Sequence, residues 1–254
     1  MFSLKDIIRS LLIRVTRLLL AARARRILPD PSVHVVVIAP HPDDETLGCG
    51  GWLASCCDSR VDVTVVVLTD GSASHPGHPE LTPNQLARQR RNECLEACRE
   101  LGIPENRVEF WGLPDGQLDR LDPPLRKEAL DKLRRLAAGR SRLWLVPGWR
   151  ERSTEHTGAR ALVSEALRDC PEPPPIWEYF IWGWRNPLGL WSLLGHGGWM
   201  QHHAPDGPAA SKSRAVLSYK SQTTPTPPWS RPVLEPVLLR ALTDPREFFL
   251  ESTP

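Results

Sequence analysis

The 254-residue chain is predicted to be a Rossmann-like α/β protein: a mostly parallel sheet in a three-layer sandwich, extended by an irregular C-terminal segment rich in tryptophan and proline. Three observations lead there. Residues 33–39 and 61–68 are valine-rich and apolar almost without interruption, as strands buried on both faces of a parallel sheet are. Such runs alternate with helix-length stretches as far as residue 181, and repeated β-α units place helices on both faces of the sheet. The length, finally, is near the upper limit of what one core organises, which favours a single large domain.

The elements follow in order. A helix over 46–59 separates the first two strands. A long helix opens at Pro83, a residue suited to a first turn, and runs to Leu101, where Gly102 stops it. Then come a short strand at 107–111, a helix over 123–139, a strand at 143–146, a helix over 155–169 and a strand at 176–181. Beyond Gly183 the periodicity fails. Trp184, Trp191, Trp199 and Trp229 are scattered, Pro225, Pro227, Pro228 and Pro232 make 223–232 extended, and one helix is expected near 233–242. The domain reading is a head, residues 1–28, and one α/β domain, residues 29–254, with 183–254 as a covering segment.

Apolar residues at 41% and charged residues at 24% describe a globular chain and exclude disorder, collagen and coiled coil. A formal charge of +2 gives no field for a nucleic-acid backbone. The head is different, with Lys5, Arg9, Arg14, Arg17, Arg23, Arg25 and Arg26 against Asp6 alone, so it carries +6 and the remainder −4. Arg14 and Arg17 interrupt its apolar run, which rules out a membrane span and a signal-peptide core. What remains is a basic helix with Leu4, Ile7, Ile8, Leu11, Val15, Leu18 and Leu19 on one side. It is suited either to an anionic membrane surface or to packing on its own domain or on a second subunit. The six cysteines lack zinc-finger or redox spacing and read as reduced thiols of a cytoplasmic protein.

The chemistry concentrates directly after the first strand, in Pro40-His41-Pro42-Asp43-Asp44-Glu45. The carboxyl end of that strand is where the crevice of a doubly wound sheet lies. An imidazole and three carboxylates within five residues call for a cation, and His41 with Asp44, three apart across a stiffened turn, can share one ion. Nitrogen plus carboxylate suits zinc. Asp43 then faces the open side as a base for water. A helix cap needs only one acceptor and leaves the rest of the string unexplained. A phosphate loop drawn from Gly48, Gly50 and Gly51 is disfavoured by the acids beside it. His34 reads as a hydrogen-bonded core residue, and His75 and His78 as loop.

With this string the sequence resembles the PIG-L or LmbE-like family of zinc-dependent N-acetylglucosaminyl deacetylases, whose hallmark is His-Pro-Asp-Asp-Glu. Leu68-Thr69-Asp70-Gly71, the helix from Arg90 through Glu93 and Ala97 to Gly102, and Phe110-Trp111-Gly112-Leu113-Pro114-Asp115-Gly116 are similar to later family signatures. Tyr179 to Trp184 with Tyr219-Lys220-Ser221-Gln222 resembles one bacterial branch, so the likeness covers about residues 33–249. It implies His41 and Asp44 as metal ligands, Asp43 as general base and His156 as third ligand, the last histidine of a His-x-Asp-His segment that here reads Ser153-Thr154-Glu155-His156. By the same resemblance, Ser153 replaces a histidine that helps stabilise or protonate the transition state in relatives. Asp70, Arg90 and Trp149 are candidate substrate contacts by location, with a structural ion pair to Glu93 or Asp70 as the other role for Arg90.

The expected protein is a Zn2+- or Fe2+-dependent N-deacetylase of a small or lipid-linked amino-sugar, cytoplasmic or peripheral at the inner membrane face. Its rivals are a metal-binding relative without turnover, and a hydrolase of longer-acyl or non-sugar amides. The oligomer is not readable from the sequence.

Overall fold

The computed structural model describes residues 3–138 and 142–253. Its strands are β1 (Arg25–Arg26), β2 (His34–Ala39), β3 (Val63–Thr69), β4 (Val108–Leu113), β5 (Arg142–Pro147), β6 (Ile176–Tyr179), β7 (Trp199–His203) and β8 (Arg246–Ser252), joined in the order β1-β7-β8-β6-β5-β2-β3-β4. The helices are α1 (Leu4–Ala21), α2 (Asp44–Asp58), α3 (Pro83–Glu100), α4 (Pro123–Ala137), α5 (Thr154–Leu167), α6 (Leu188–Trp191), α7 (Asp206–Ser218), α8 (Lys220–Thr223) and α9 (Pro236–Leu242).

The run from β6 through β5, β2 and β3 to β4 is parallel, as the unbroken apolar strands require. Every residue of β3 is buried, and two apolar clusters, one on each face of the sheet, complete the three layers. Local signals set the helix starts: Thr82 and Gln85 form a capping box before Pro83, Asp122 caps α4, and Ser153 caps α5. Helix α2 begins two residues earlier than expected because Asp43, with a φ of 130°, takes the cap position. Helix α4 ends at Ala137, and residue 139, the expected end, lies outside the described residues.

The C-terminal segment does more than cover the domain. β7 and β8 join the main sheet as antiparallel neighbours, and α7 packs against α2 and α3. The Trp-Met-Gln-His-His run of β7 and the Gly-Pro start of α7 hide them from periodicity. Glu247 on β8 explains part of the docking. Helix α2 kinks at Cys49, and Glu247 accepts from the amides of Gly51 (2.9 Å) and Trp52 (2.7 Å) while pairing with buried Lys212 of α7 (2.7 Å). Glu247→Ala strands an ammonium and two amides in the core. It is expected to lower stability by about 3–5 kcal/mol, read from denaturant unfolding.

Within the head expected as a helix over 1–28, helix α1 is opened by a Ser3–Asp6 capping box and ends at Ala21, and Arg25–Arg26 then pair with β7 as the edge strand of the sheet. The helix docks on its own domain through Ile13, Thr16, Arg17 and Leu20, a face separate from the apolar stripe seen in the sequence. Arg17 bonds the carbonyls of Ala241 and Arg246, pairs with Asp244, and lies over the Trp184 and Phe248 rings. No described helix is long and apolar enough to cross a membrane.

Candidate metal centre

Strand β2 is central, with β3 on one side and β5 on the other, so the loops after β2 and β5 flank the point where the strand order reverses. The first carries His41, Asp43 and Asp44; the second leads to His156 in the first turn of α5. Ligand atoms of His41, Asp44 and His156 all lie within 4.8 Å of one another. Asp44 stands between the imidazoles, its Oδ2 3.0 Å from His41 Nδ1 and its Oδ1 3.3 Å from His156 Nε2.

The β2–α2 loop is held from three directions. Thr69, at the end of β3, donates its amide and hydroxyl to Pro40 O, each at 2.9 Å. Arg90 of α3, only 3% exposed, donates to Pro42 O (2.6 Å) and Gly71 O (2.9 Å) and lies 3.2 Å from Asp43 Oδ1. A Cβ on Gly71, which has a φ of +67°, would stand 2.3 Å from that guanidinium, so glycine is required there. Glu45 accepts from the Asp43 amide (3.1 Å), the Thr46 hydroxyl (2.6 Å) and the Tyr219 hydroxyl, so the third acid of the string braces the loop.

Two acids that sequence reasoning passed over complete the setting. Asp115, after β4, has Oδ1 3.2 Å from His41 Nε2 and accepts from the Ala73 amide (2.8 Å). Glu151, after β5, has Oε2 3.3 Å from His156 Nδ1 and accepts from the amides of Ile181, Trp182 and Gly183. Each imidazole thus faces Asp44 with one nitrogen and a further carboxylate with the other. Asp115 was visible in the Pro114-Asp115-Gly116 turn and Glu151 as an acid following a strand, but only the fold reveals which histidine each meets.

Burial opposes a charged His41, yet Asp115 and Asp44 outweigh it and raise the imidazole to about 9. For His156 burial is likewise overcome by Asp44 and Glu151, which raise it to about 10. Burial would push Asp44 up, but the two histidines hold it well below the carboxylate range. Burial raises Asp43 to about 7, with Arg90 pulling it down and Asp44 pushing it up.

The donor set fits a divalent cation. Neither nitrogen of fully buried His156 has a contact with hydrogen-bond geometry, although each has a carboxylate oxygen at 3.3 Å. An ion bound by two imidazoles and a carboxylate satisfies such atoms, and this is zinc-type coordination. Among the described residues two other groups of donors converge. His41 also lies with Asp115 and Glu155, whose Oε2 is buried with no hydrogen-bond partner among the described residues. Glu45 gathers with Cys94 and Cys98 in the core, but its oxygens are already bonded; the hydrogen bond to Cys98 together with burial raises the Cys94 thiol, and for Cys98 the opposing hydrogen bond to Cys94 is outweighed by burial and nearby Glu45, which raise it.

The remaining expected residues are spread out. Arg90 is spent on the loop rather than open to a substrate, because burial and its three partners fix it. Asp70 accepts from the Ser72 amide (2.9 Å) and closes the turn after β3. Trp149, 47% exposed, stands after β5 with Arg160 over its ring. Ser153 accepts from the His156 amide as the helix cap. His34 bonds Thr64 on the neighbouring strand, His75 stacks on Trp229, and His202 bonds Ser55, so each of the three is held in structural contacts.

Comparison with known proteins agrees with this architecture. Residues 36–167, just over half the chain, match the family model described as PIG-L, GlcNAc-PI de-N-acetylase. A diacetylchitobiose deacetylase of Thermococcus kodakarensis is 38% identical over 69 residues, 27% of this chain and 26% of that one. A probable N-acetyl-alpha-D-glucosaminyl L-malate deacetylase 2 of Bacillus subtilis is 31% identical over 102 residues, 39% of this chain and 45% of that one. The chain therefore spans between a quarter and a half of the length of these curated relatives. Among solved structures, the conserved protein TT1542 from Thermus thermophilus superposes with a TM-score of 0.60 at 26% identity, covering 87% of this chain and 96% of that one. With the matched segment running from β2 through α5 and so spanning the whole candidate centre, the chain belongs to the PIG-L family.

Proposed function

We propose that the protein is a metal-dependent hydrolase that removes the acetyl group from an N-acetylated amino-sugar. The observation that carries the reading is the convergence of His41, Asp44 and His156 with Asp43 beside them at the carboxyl end of the sheet. The relatives named above as deacetylases of acetylated amino-sugars supply the substrate class.

His41, Asp44 and His156 would hold the ion, zinc or iron(II), which polarises the acetyl carbonyl and acidifies water. Asp43 is the general base. Arg90 fixes one of its oxygens, no hydrogen bond from the described residues takes the other, and burial brings its pKa near the range where a base works at neutral pH. It accepts the proton of the attacking water and delivers it to the departing nitrogen, giving acetate and a free amine. With Ser153 occupied in capping α5, Asp43 serves both proton transfers. Asp70 and Trp149, on the loops after β3 and β5, are proposed to contact the sugar.

Acetate release from an N-acetylglucosamine-glycoside panel, with metal content measured on the same sample, tests the reading. Stoichiometric metal without turnover on any acetylated sugar would favour a non-catalytic relative, and turnover only on longer acyl amides would change the substrate class.

Metal loading should also depend on pH. Both imidazoles are protonated at neutral pH without an ion, and both must lose that proton to coordinate one. Apparent affinity is therefore expected to rise with pH up to about 10, most steeply below about 9 where both His41 and His156 still give up a proton to the ion, and less steeply between the two values where only His156 does. Calorimetric titration in buffers of different ionisation enthalpy reads the released protons; a pH-independent affinity would contradict the ligand set.

A further inference from the structure

We propose that the outward face of α1 docks the protein on an anionic lipid surface. The helix presents two opposite faces, one mixed and one apolar. Ile13, Thr16, Arg17 and Leu20 bury one against the domain. The other is left open, with Leu4 72%, Leu11 60% and Leu18 68% exposed and Ile7 and Ile8 also exposed. Five large apolar side chains on one helix face form a contiguous patch of the kind that marks an interaction surface.

Charge identifies the occupant. The first 28 residues carry +6 against −4 for the rest, and the positive charge divides according to face. Arg9 and Arg17, turned towards the domain, are paired with Glu235 and Asp244. Lys5 and Arg14, both exposed, make no ion pair among the described residues, and at helical spacing they lie on opposite sides of the open stripe. Arg23, which donates to Leu19 O, and Arg26 add exposed charge just past the helix and make no ion pair among the described residues. Asp6, the one acid, turns back onto Ser3. An apolar stripe edged by long basic side chains is the pattern of a helix lying in the headgroup plane, where the aliphatic stems reach outward to phosphates. A second copy seated on the same stripe would set this positive charge against its own kind.

The placement is productive for a hydrolase with a membrane-borne substrate. Glu151, beside His156, binds the amides of 181–183; Arg185 follows, pairs with Glu235, and Glu235 pairs with Arg9 of α1. The exposed first half of the helix therefore belongs to the same end of the sheet as the candidate centre. The docking itself does not depend on the deacetylase reading.

Flotation of the full chain with vesicles of phosphatidylcholine alone, or mixed with phosphatidylglycerol, tests the proposal. The protein is expected to float with the anionic vesicles only and to be released by salt. Replacing Lys5→Gln with Arg14→Gln should weaken binding roughly 25-fold, and Leu11→Glu with Leu18→Glu should abolish it. None of these residues is buried, so an unchanged melting temperature is the folding control. Failure to float with anionic vesicles at low salt overturns the proposal, as does binding that survives the leucine changes. A dimer in sedimentation that the leucine changes dissolve, without vesicle binding, assigns the face to a second copy instead.

Discussion

Asp43→Asn is expected to leave the fold and the bound metal intact while turnover falls by about 10²–10⁴, the range for loss of a general base. Asparagine is the informative replacement. It matches aspartate in shape, and it is among the residues that best tolerate positive φ, which matters at a backbone φ of 130°. It also keeps an oxygen for Arg90. The pH profile separates this role from a structural one. Wild-type turnover should rise with pH as Asp43 loses its proton, with the acidic limb at or below about 7, because a nearby cation favours the carboxylate over its value in the metal-free site. The variant should lose that limb together with the rate. Near-normal acetate release from Asp43→Asn, with metal content equal to wild type, would remove Asp43 from the mechanism.

Residues that act through their neighbours in sequence were legible; those that act through space were not. Strands β2 and β3 announced themselves because burial on both faces leaves an almost unbroken apolar run, and α3 because a proline at its first turn and a glycine at its end are local chemistry. The same logic exposed His41, Asp43 and Asp44, since three of the site's groups lie on one turn. Strands β7 and β8 were hidden for the opposite reason. β7 carries two histidines and a glutamine, and β8 is charged at both ends, so neither shows an apolar run of diagnostic length. Arg90 illustrates the limit most clearly. Its position near the site was readable, but whether a guanidinium faces substrate or backbone depends on Pro42 O and Gly71 O, contributed by two separate loops. The head gave a mixed answer: the stripe was visible, but not that another face of the helix would dock.

Asp115→Asn and Glu151→Gln are expected to weaken metal binding about 10–100-fold without touching a proposed ligand, because each acid orients a histidine from behind. His41 turns Nδ1 towards Asp44 and Nε2 towards Asp115, while His156 turns Nε2 towards Asp44 and Nδ1 towards Glu151. An ion shared with Asp44 takes the inner nitrogen of each ring. The outer nitrogen then keeps its proton and donates it to the carboxylate, which fixes both tautomer and ring plane. Asparagine at 115 and glutamine at 151 retain an acceptor oxygen but lose the charge that makes the imidazole a stronger donor to metal. Glu151 also receives three backbone amides, so its replacement disturbs the loop at 181–183 as well, and Asp115, with one amide, is the cleaner test. Competition with a calibrated chelator measures the loss, and melting temperature checks the fold. If Asp115→Asn holds the ion as tightly as wild type, the orienting role is wrong. A loss far beyond 100-fold would instead make Asp115 a ligand, moving the ion to the group formed with His41 and Glu155.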